Sequence, residues 1–224
     1  MDVFSDPANV DVYVTGFLWI LKLTIGGTVG ALVLGVLLAA MRVSPVPVLR
    51  GFGTAWVNTF RNTPLTLIIF FCYFGLYSTL GVTVSDDIER NNYWLGVIGL
   101  SVYTAAFICE AIRSGINTVP AGQAEAARAI GMSFRQTLTM IILPQAGRAV
   151  VAPLGSIFIA LAKNSTIVGT IGLAESSTAM KDLINTNGDA VIPIFFVFAG
   201  TFAAVLIPSG YAFGWLANRL AVKR

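Results

Sequence analysis

The sequence predicts an all-α integral membrane protein. Of its 224 residues 56% are hydrophobic and 11% are charged, and the mean hydropathy is +0.79. These values lie outside the usual range of soluble globular domains. Long runs poor in charge recur along the chain, and about 20 mostly apolar residues are enough for a helix to cross a bilayer. We therefore predict one transmembrane domain over residues 1–224, with its core at 12–218.

Five runs are long enough to cross a membrane. The first contains Lys22 as its only charge, and the fourth contains only Lys163. The amino terminus lacks the basic segment and cleavage pattern of a secretory signal, so we expect the first run to be retained as a span. The predicted spans are about 12–41, 62–80, 91–112, 147–168 and 190–218.

The charges between the spans predict the orientation, because basic residues collect on the cytoplasmic side. One side carries ten basic residues, whereas the other carries only Arg90 and Lys181 beside nine acidic residues. We therefore expect the amino terminus outside and the carboxyl terminus inside. The ten are Arg42, Arg50, Arg61, Arg113, Arg128, Arg135, Arg148, Arg219, Lys223 and Arg224.

The composition gives no support for a metal site or for nucleic acid as a partner. The chain has no histidine, and its two cysteines, Cys72 and Cys109, lie in apolar runs where a thiol is a small hydrophobe. Fourteen basic side chains nearly balance eleven acidic ones. We expect no bound metal and no nucleic-acid partner.

The longest cytoplasmic loop, residues 118–144, is charged and rich in alanine. Pro120 suits the first turn of a helix, and Gly131 is placed to end that helix in a left-handed conformation. Ser133 and Gln136 have the spacing of a capping box that starts a second helix, and Pro144 marks the next expected break. The loop is predicted to be a helix, a sharp bend and a helix.

Alanines give the first of these helices a surface of small side chains, from which Glu125 and Arg128 project. A partner could approach the backbone closely there. The alternative is an amphipathic loop lying on lipid headgroups, with Arg128 and Arg135 facing phosphates.

The run Glu125-Ala126-Ala127, followed by Gly131 and the end Ile141-Ile142-Leu143-Pro144, resembles the EAA loop of ATP-binding-cassette importer permeases. In that family the loop forms a coupling helix that docks into a cleft of the cytoplasmic ATPase. The resemblance therefore implies an ATPase-coupling role for Glu125, Ala126, Ala127, Arg128 and Gly131.

Further motifs resemble those of polar amino-acid permeases over nearly the whole chain. Their residues are most similar to those of actinobacterial glutamate-uptake permeases. They are Lys22-Leu-Thr, Arg61-Asn-Thr-Pro-Leu, Glu110-Ala-Ile-Arg-Ser-Gly-Ile-Asn-Thr-Val and Lys163-Asn-Ser-Thr-Ile. Many relatives have an aspartate after the last lysine, where this chain has Asn164, and the loss of that negative charge suits an anionic cargo. The substrate-path candidates are Lys22, Arg61, Thr104, Glu110, Lys163, Asn164 and Ser165.

Two of these candidates have a simpler explanation. Glu110 and Arg113 are one turn apart, which favours a local ion pair, and Arg61 at the head of a span can mark the membrane interface. Lys163 is different, because it is predicted in the outer half of the core beside three further polar residues. We expect it to contact cargo; snorkelling to the surface is the alternative.

The chain contains neither Gly-Lys-Ser nor Gly-Lys-Thr and so lacks a phosphate loop. We expect no enzymatic activity and no cofactor on this chain. The resemblance implies a bacterial cell membrane protein with a second permease subunit, two ATPase subunits that use ATP and Mg²⁺, and an extracytoplasmic solute-binding protein. Two alternatives remain open: an ion-coupled secondary transporter and a noncatalytic membrane anchor or assembly subunit.

Overall fold

The computed structural model describes residues 3–220, and within them the chain is helical apart from short turns. A 3₁₀ turn at Val3–Ser5 precedes the first long helix. The all-α class is confirmed. The helices are α1 (Pro7–Val43), α2 (Pro47–Arg61), α3 (Leu65–Thr79), α4 (Ile88–Asn117), α5 (Ala121–Ala129), α6 (Phe134–Ile171), α7 (Ser176–Thr186) and α8 (Val191–Leu220).

Within residues 3–220, four helices are long and apolar enough to cross a membrane, namely α1, α4, α6 and α8. They contain the predicted spans at 12–41, 91–112 and 147–168, and α8 begins one residue after the predicted start at 190. The protein is therefore a multi-pass membrane protein.

The second predicted span, 62–80, differs from the structure. Its helix α3 begins only at Leu65, because Pro64 disfavours helical backbone in the residue before it. The sequence prediction also missed α2, which starts at Pro47 and ends at Arg61. Arg61 thus closes one helix instead of opening a span. Apolar residues recur at helical spacing from Leu49 to Phe60, and this pattern could have predicted α2.

The centre of the bundle is the contact between α1 and α4. Ala31 on α1 is fully buried, and a Cβ atom added at Gly35 would lie 2.7 Å from the Cβ atom of Ile108 on α4. The small residues of α1 therefore let the two helices approach closely within one chain. Leu23, Leu95 and Leu100 are fully buried at the same contact.

The helix α6 runs past Pro144 without a break, contrary to the prediction. It is wound as a π-helix over Thr137–Ile142 and as an α-helix over Leu143–Asn164. Pro144 lies in the first turn of the α-helical part, at the change of winding, where a missing N–H is tolerated. The second half of the 118–144 loop is thus the start of a long helix.

A second helix that the sequence prediction missed is α7, which lies in the segment taken as an outer loop. Glu175 caps it: its carboxylate accepts the N–H groups of Ser177 at 2.8 Å and Thr178 at 3.1 Å. The Glu175 side chain is fully buried. Apolar residues at helical spacing could have predicted α7, namely Ala179, Met180, Leu183 and Ile184.

Candidate functional site: an exposed helix, a cavity and an arginine cluster

The helix α5 ends in a hydrogen-bonded turn built around a glycine. The Gly131 N–H donates to the Arg128 carbonyl and the Met132 N–H donates to the Ala127 carbonyl, both at 3.0 Å. These two bonds form a Schellman motif. Gly131 has a φ of 86°, in the left-handed region predicted for it, which a side chain with a Cβ atom strongly disfavours.

The predicted capping box follows this turn and starts α6. The Gln136 N–H donates to the Ser133 hydroxyl at 3.3 Å, and the Ser133 N–H donates to the Gln136 side-chain carbonyl at 2.8 Å. The bend between α5 and α6 is therefore fixed from both sides by local hydrogen bonds.

The helix α5 presents a mixed surface to solvent. Glu125, Ala126 and Arg128 are exposed, whereas Ala127 is buried where α5 packs against the start of α6. Next to the turn, Ile130 is 81% exposed. The exposed residues form a surface with charged and apolar groups, carried by a helix that is anchored on its other face.

A cavity of about 230 Å³ lies between α4 and α6, and it brings two predicted substrate-path residues together. Thr104 contributes a buried hydroxyl from α4, and Asn164 contributes an amide from the end of the α-helical part of α6. Such groups can hydrogen-bond a polar solute. The lining residues are Tyr103, Thr104, Phe107, Ser156, Ile157, Ala160, Leu161 and Asn164.

Three other polar candidates, Lys163, Ser165 and Lys22, do not line the cavity. Lys163 is exposed and follows the lining residue Ala160 by three positions, so it lies beside the cavity on the same side of the helix. Ser165 is fully buried, and its hydroxyl donates to the Ala162 carbonyl at 2.7 Å. Lys22 is exposed on α1, with its ammonium 4.2 Å from the centroid of the Trp19 ring.

Glu110 is the centre of an ion-pair cluster that joins three helices. Its carboxylate bonds Arg42 of α1 directly, and it lies 3.4 Å from Arg113 and 3.9 Å from Arg61. The local pair predicted between Glu110 and Arg113 is therefore only one part of the cluster, and Arg42 is the nearest partner. The reason is tertiary packing, because α1 and α4 lie side by side.

The family described as "Binding-protein-dependent transport system inner membrane component" matches residues 31–222, which include the exposed helix, the cavity and the cluster. The chain belongs to this family.

Named relatives of this membrane component are similar over almost their whole length. The "Glutamate transport system permease protein GluC" of Corynebacterium efficiens is 47% identical over 92% of this chain and 93% of its own. The "Probable glutamine ABC transporter permease protein GlnM" of Bacillus subtilis is 38% identical over 95% of this chain and 94% of its own.

Solved structures of transporters share the fold of this membrane component. One, titled "Crystal structure of an amino acid ABC transporter with histidines", has a TM-score of 0.86 and 25% identity over 98% of this chain and 99% of that chain. The MetNI methionine ABC transporter in inward-facing form has a TM-score of 0.75 and 18% identity over 97% of this chain and 100% of that chain, and it supports the fold alone.

Several residues of the site were missed at the level of sequence. Arg42 was counted only as a charge that sets orientation, although it is the main partner of Glu110. Tyr103 and Ser156 line the cavity with Thr104 and Asn164. The helical spacing of Ser156, Ala160 and Asn164, four positions apart in turn, is a signal that could have linked them to one face.

Proposed function

We propose that the chain is the transmembrane permease subunit of an ATP-binding-cassette importer for polar amino acids, with glutamate as its cargo. The family membership supports the transport role, and two relatives at 47% and 48% identity that carry the name of a glutamate transport permease support the cargo. The chain itself carries no phosphate loop in its sequence, so ATP and Mg²⁺ belong to a partner ATPase.

The proposed topology has five spans, with the amino terminus outside and the carboxyl terminus inside. The helix α3 has 15 residues over Leu65–Thr79, about 22 Å at the rise of an α-helix, which is less than the roughly 30 Å core. The turn before α3 and Leu80 after it extend the segment, so we propose that the run 62–80 is the second span and that α2, which carries Arg50 and Arg61, stays on the cytoplasmic side. The charge distribution then puts α5 in the bacterial cytoplasm.

The observation that carries the proposal is the exposed helix α5, fixed to the long helix α6. Its residues Glu125, Ala126 and Arg128 face outward, while Ala127 and the turn at Gly131 attach it to the membrane domain. A rigid attachment lets a displacement of α5 move α6. We propose that α5 is the surface on which the ATPase acts.

The proposed assembly contains two ATPase subunits, two permease subunits, which are copies or close relatives, and an extracytoplasmic solute-binding protein. ATP binding would close the ATPases, draw the two α5 helices together and open the path outward, and hydrolysis would reset it. Such an effector shifts the balance of two conformations by its differential affinity for them.

The proposed cargo site is the cavity between α4 and α6. The hydroxyl of Thr104 and the amide of Asn164 offer neutral hydrogen-bonding groups to an amino acid. Lys163, beside the cavity, adds a positive charge that can attract a carboxylate when the cargo enters. The exposed Lys22, elsewhere on α1, and the buried Ser165 remain candidates for other positions along the path.

The test is ATP-driven uptake of labelled glutamate by the chain reconstituted with its ATPase and solute-binding protein. We expect uptake that requires ATP and all three components, and that persists when sodium and proton gradients are abolished. Uptake driven by an ion gradient without ATP would instead identify a secondary transporter. A complex that hydrolyses ATP but moves no amino acid would contradict the proposed cargo class.

A further inference from the structure

The cluster around Glu110 has more positive than negative charge. Three guanidinium groups, those of Arg42, Arg61 and Arg113, surround a single carboxylate within 4 Å, which leaves a net charge of +2. At the edge of a low-dielectric region, unbalanced charges of one sign are costly unless an anion joins them. The cluster therefore has the charge to hold one further anion.

The burial of the three arginines differs and indicates which of them are free to bind. The Arg42 side chain is 10% exposed and bonds Glu110 directly, so this pair is satisfied within the protein. Arg61 and Arg113 are 46% and 43% exposed and contact Glu110 only at 3.9 and 3.4 Å. Their guanidinium groups have five N–H donors each, and most of these point to no acceptor among the described residues.

The cluster adjoins the proposed cargo cavity. The guanidinium carbon of Arg61 is 5.7 Å from the centroid of the Phe107 ring, and Phe107 lines the cavity. Glu110 follows Phe107 by three residues, about 4.5 Å along α4. A solute that leaves the cavity along α4 toward Asn117 therefore meets Arg61 and Glu110 first.

We propose that Arg61 and Arg113 form a second binding station, which takes the carboxylate of an acidic amino acid on its way from the cavity to the cytoplasm. This inference rests on the proposed function. Glu110 competes with the cargo carboxylate for the two arginines, so it weakens the station and allows release. An amide cargo offers one carboxylate where an acidic cargo offers two, and the station therefore favours the acidic one.

The test is equilibrium binding of labelled glutamate and glutamine to the purified complex of this chain with its ATPase, without solute-binding protein. Arg61→Gln is expected to weaken glutamate binding about fivefold, the upper range for a partly exposed ion pair, and glutamine binding less than about twofold. Arg61→Lys keeps the charge and is expected to stay within about threefold of wild type for glutamate. Arg50→Gln on α2 is the matched control, since Arg50 forms no ion pair with the described residues.

Glu110→Gln is expected to change the affinity for glutamate in the opposite direction. With the competing carboxylate removed, glutamate binding is expected to tighten at least about twofold, whereas a purely structural role of the cluster predicts weaker binding of both amino acids. Equal losses for glutamate and glutamine in Arg61→Gln, or no loss at all, would overturn the station. Wild-type complex that binds neither amino acid would instead contradict the proposed function itself.

Discussion

Gln123 on α5 and Gln145 on α6 share a hydrogen bond across 22 positions of sequence. The Gln145 amide donates to the Gln123 side-chain carbonyl and also to the main-chain carbonyl of Ile141 at 2.8 Å. The bond links the proposed ATPase-facing helix to the helix that lines the cavity. It complements the local turn at Gly131 with a side-chain contact further along both helices.

If this bond transmits movement, its loss should lower the number of glutamate molecules carried per ATP hydrolysed. We expect Gln123→Ala and Gln145→Ala each to reduce that ratio about two- to tenfold, matching about 0.5 to 1.5 kcal/mol for one hydrogen bond. The double variant should be no worse than either single one, because both remove the same bond. Fully additive losses would mean that the two glutamines act separately.

The turn at Gly131 gives a second prediction. Gly131→Val forces a β-branched side chain into φ near 86° and should reduce glutamate uptake at least about tenfold, since left-handed backbone costs about 1 to 2 kcal/mol even for an unbranched side chain. Gly51→Val is the control, because Gly51 lies in the helix α2, outside α5, with open space around it. Uptake and co-purification of the ATPase are measured together. Wild-type uptake and wild-type co-purification of the ATPase in Gly131→Val would contradict a fixed docking helix.

A larger side chain at Thr104 in the cavity wall is expected to lower glutamate uptake. Thr104→Leu removes the hydroxyl and adds volume to the cavity wall, and it should lower glutamate uptake at least about tenfold, equivalent to about 1.4 kcal/mol. Thr54→Leu on α2 serves as the control, since the Thr54 hydroxyl bonds the Arg50 carbonyl of its own helix. Equal uptake by both variants would show that the cargo passes elsewhere.

Substitution of the buried Glu175 is expected to destabilise the protein. In Glu175→Gln one oxygen becomes an NH₂ group that lies among N–H and hydroxyl donors, so the free energy of unfolding should fall by about 1 to 3 kcal/mol. Thermal unfolding of the purified protein in detergent measures this. Asp182→Asn, exposed on the same helix α7, is expected to change little. A similar melting temperature for wild type and Glu175→Gln would contradict the capping role.

The proposed orientation can be tested by labelling intact cells. With buried Cys72 and Cys109 replaced by alanine, a cysteine at exposed Asp86 or Gly188 should react with an impermeant thiol reagent, and one at Arg135 should not. The reverse pattern would invert the topology and put α5 outside.

Much of the fold was predictable because the membrane restricts it. Apolar runs of about 20 residues favour helices, since a helix satisfies its backbone hydrogen bonds within a single segment in lipid. The turn at Gly131 and the capping box at Ser133 were predictable for a similar reason, as each depends on hydrogen bonds within a few residues. The helices α2 and α7 were missed because their short amphipathic patterns are weaker than the signal of a span.

The contacts between helices depended on the tertiary structure. Sequence placed Glu110 beside Arg113, but the packing of α1 on α4 brought Arg42, 68 positions away, closer to that carboxylate. It likewise turned Asn164 into the cavity and left Lys163 beside it. Which face of a helix meets its neighbour depends on how side chains of both helices interdigitate, and a one-residue step rotates the contact by about 100°. The sequence alone therefore determined which long apolar segments become helices and how the α5 turn closes, whereas packing decided which polar groups meet.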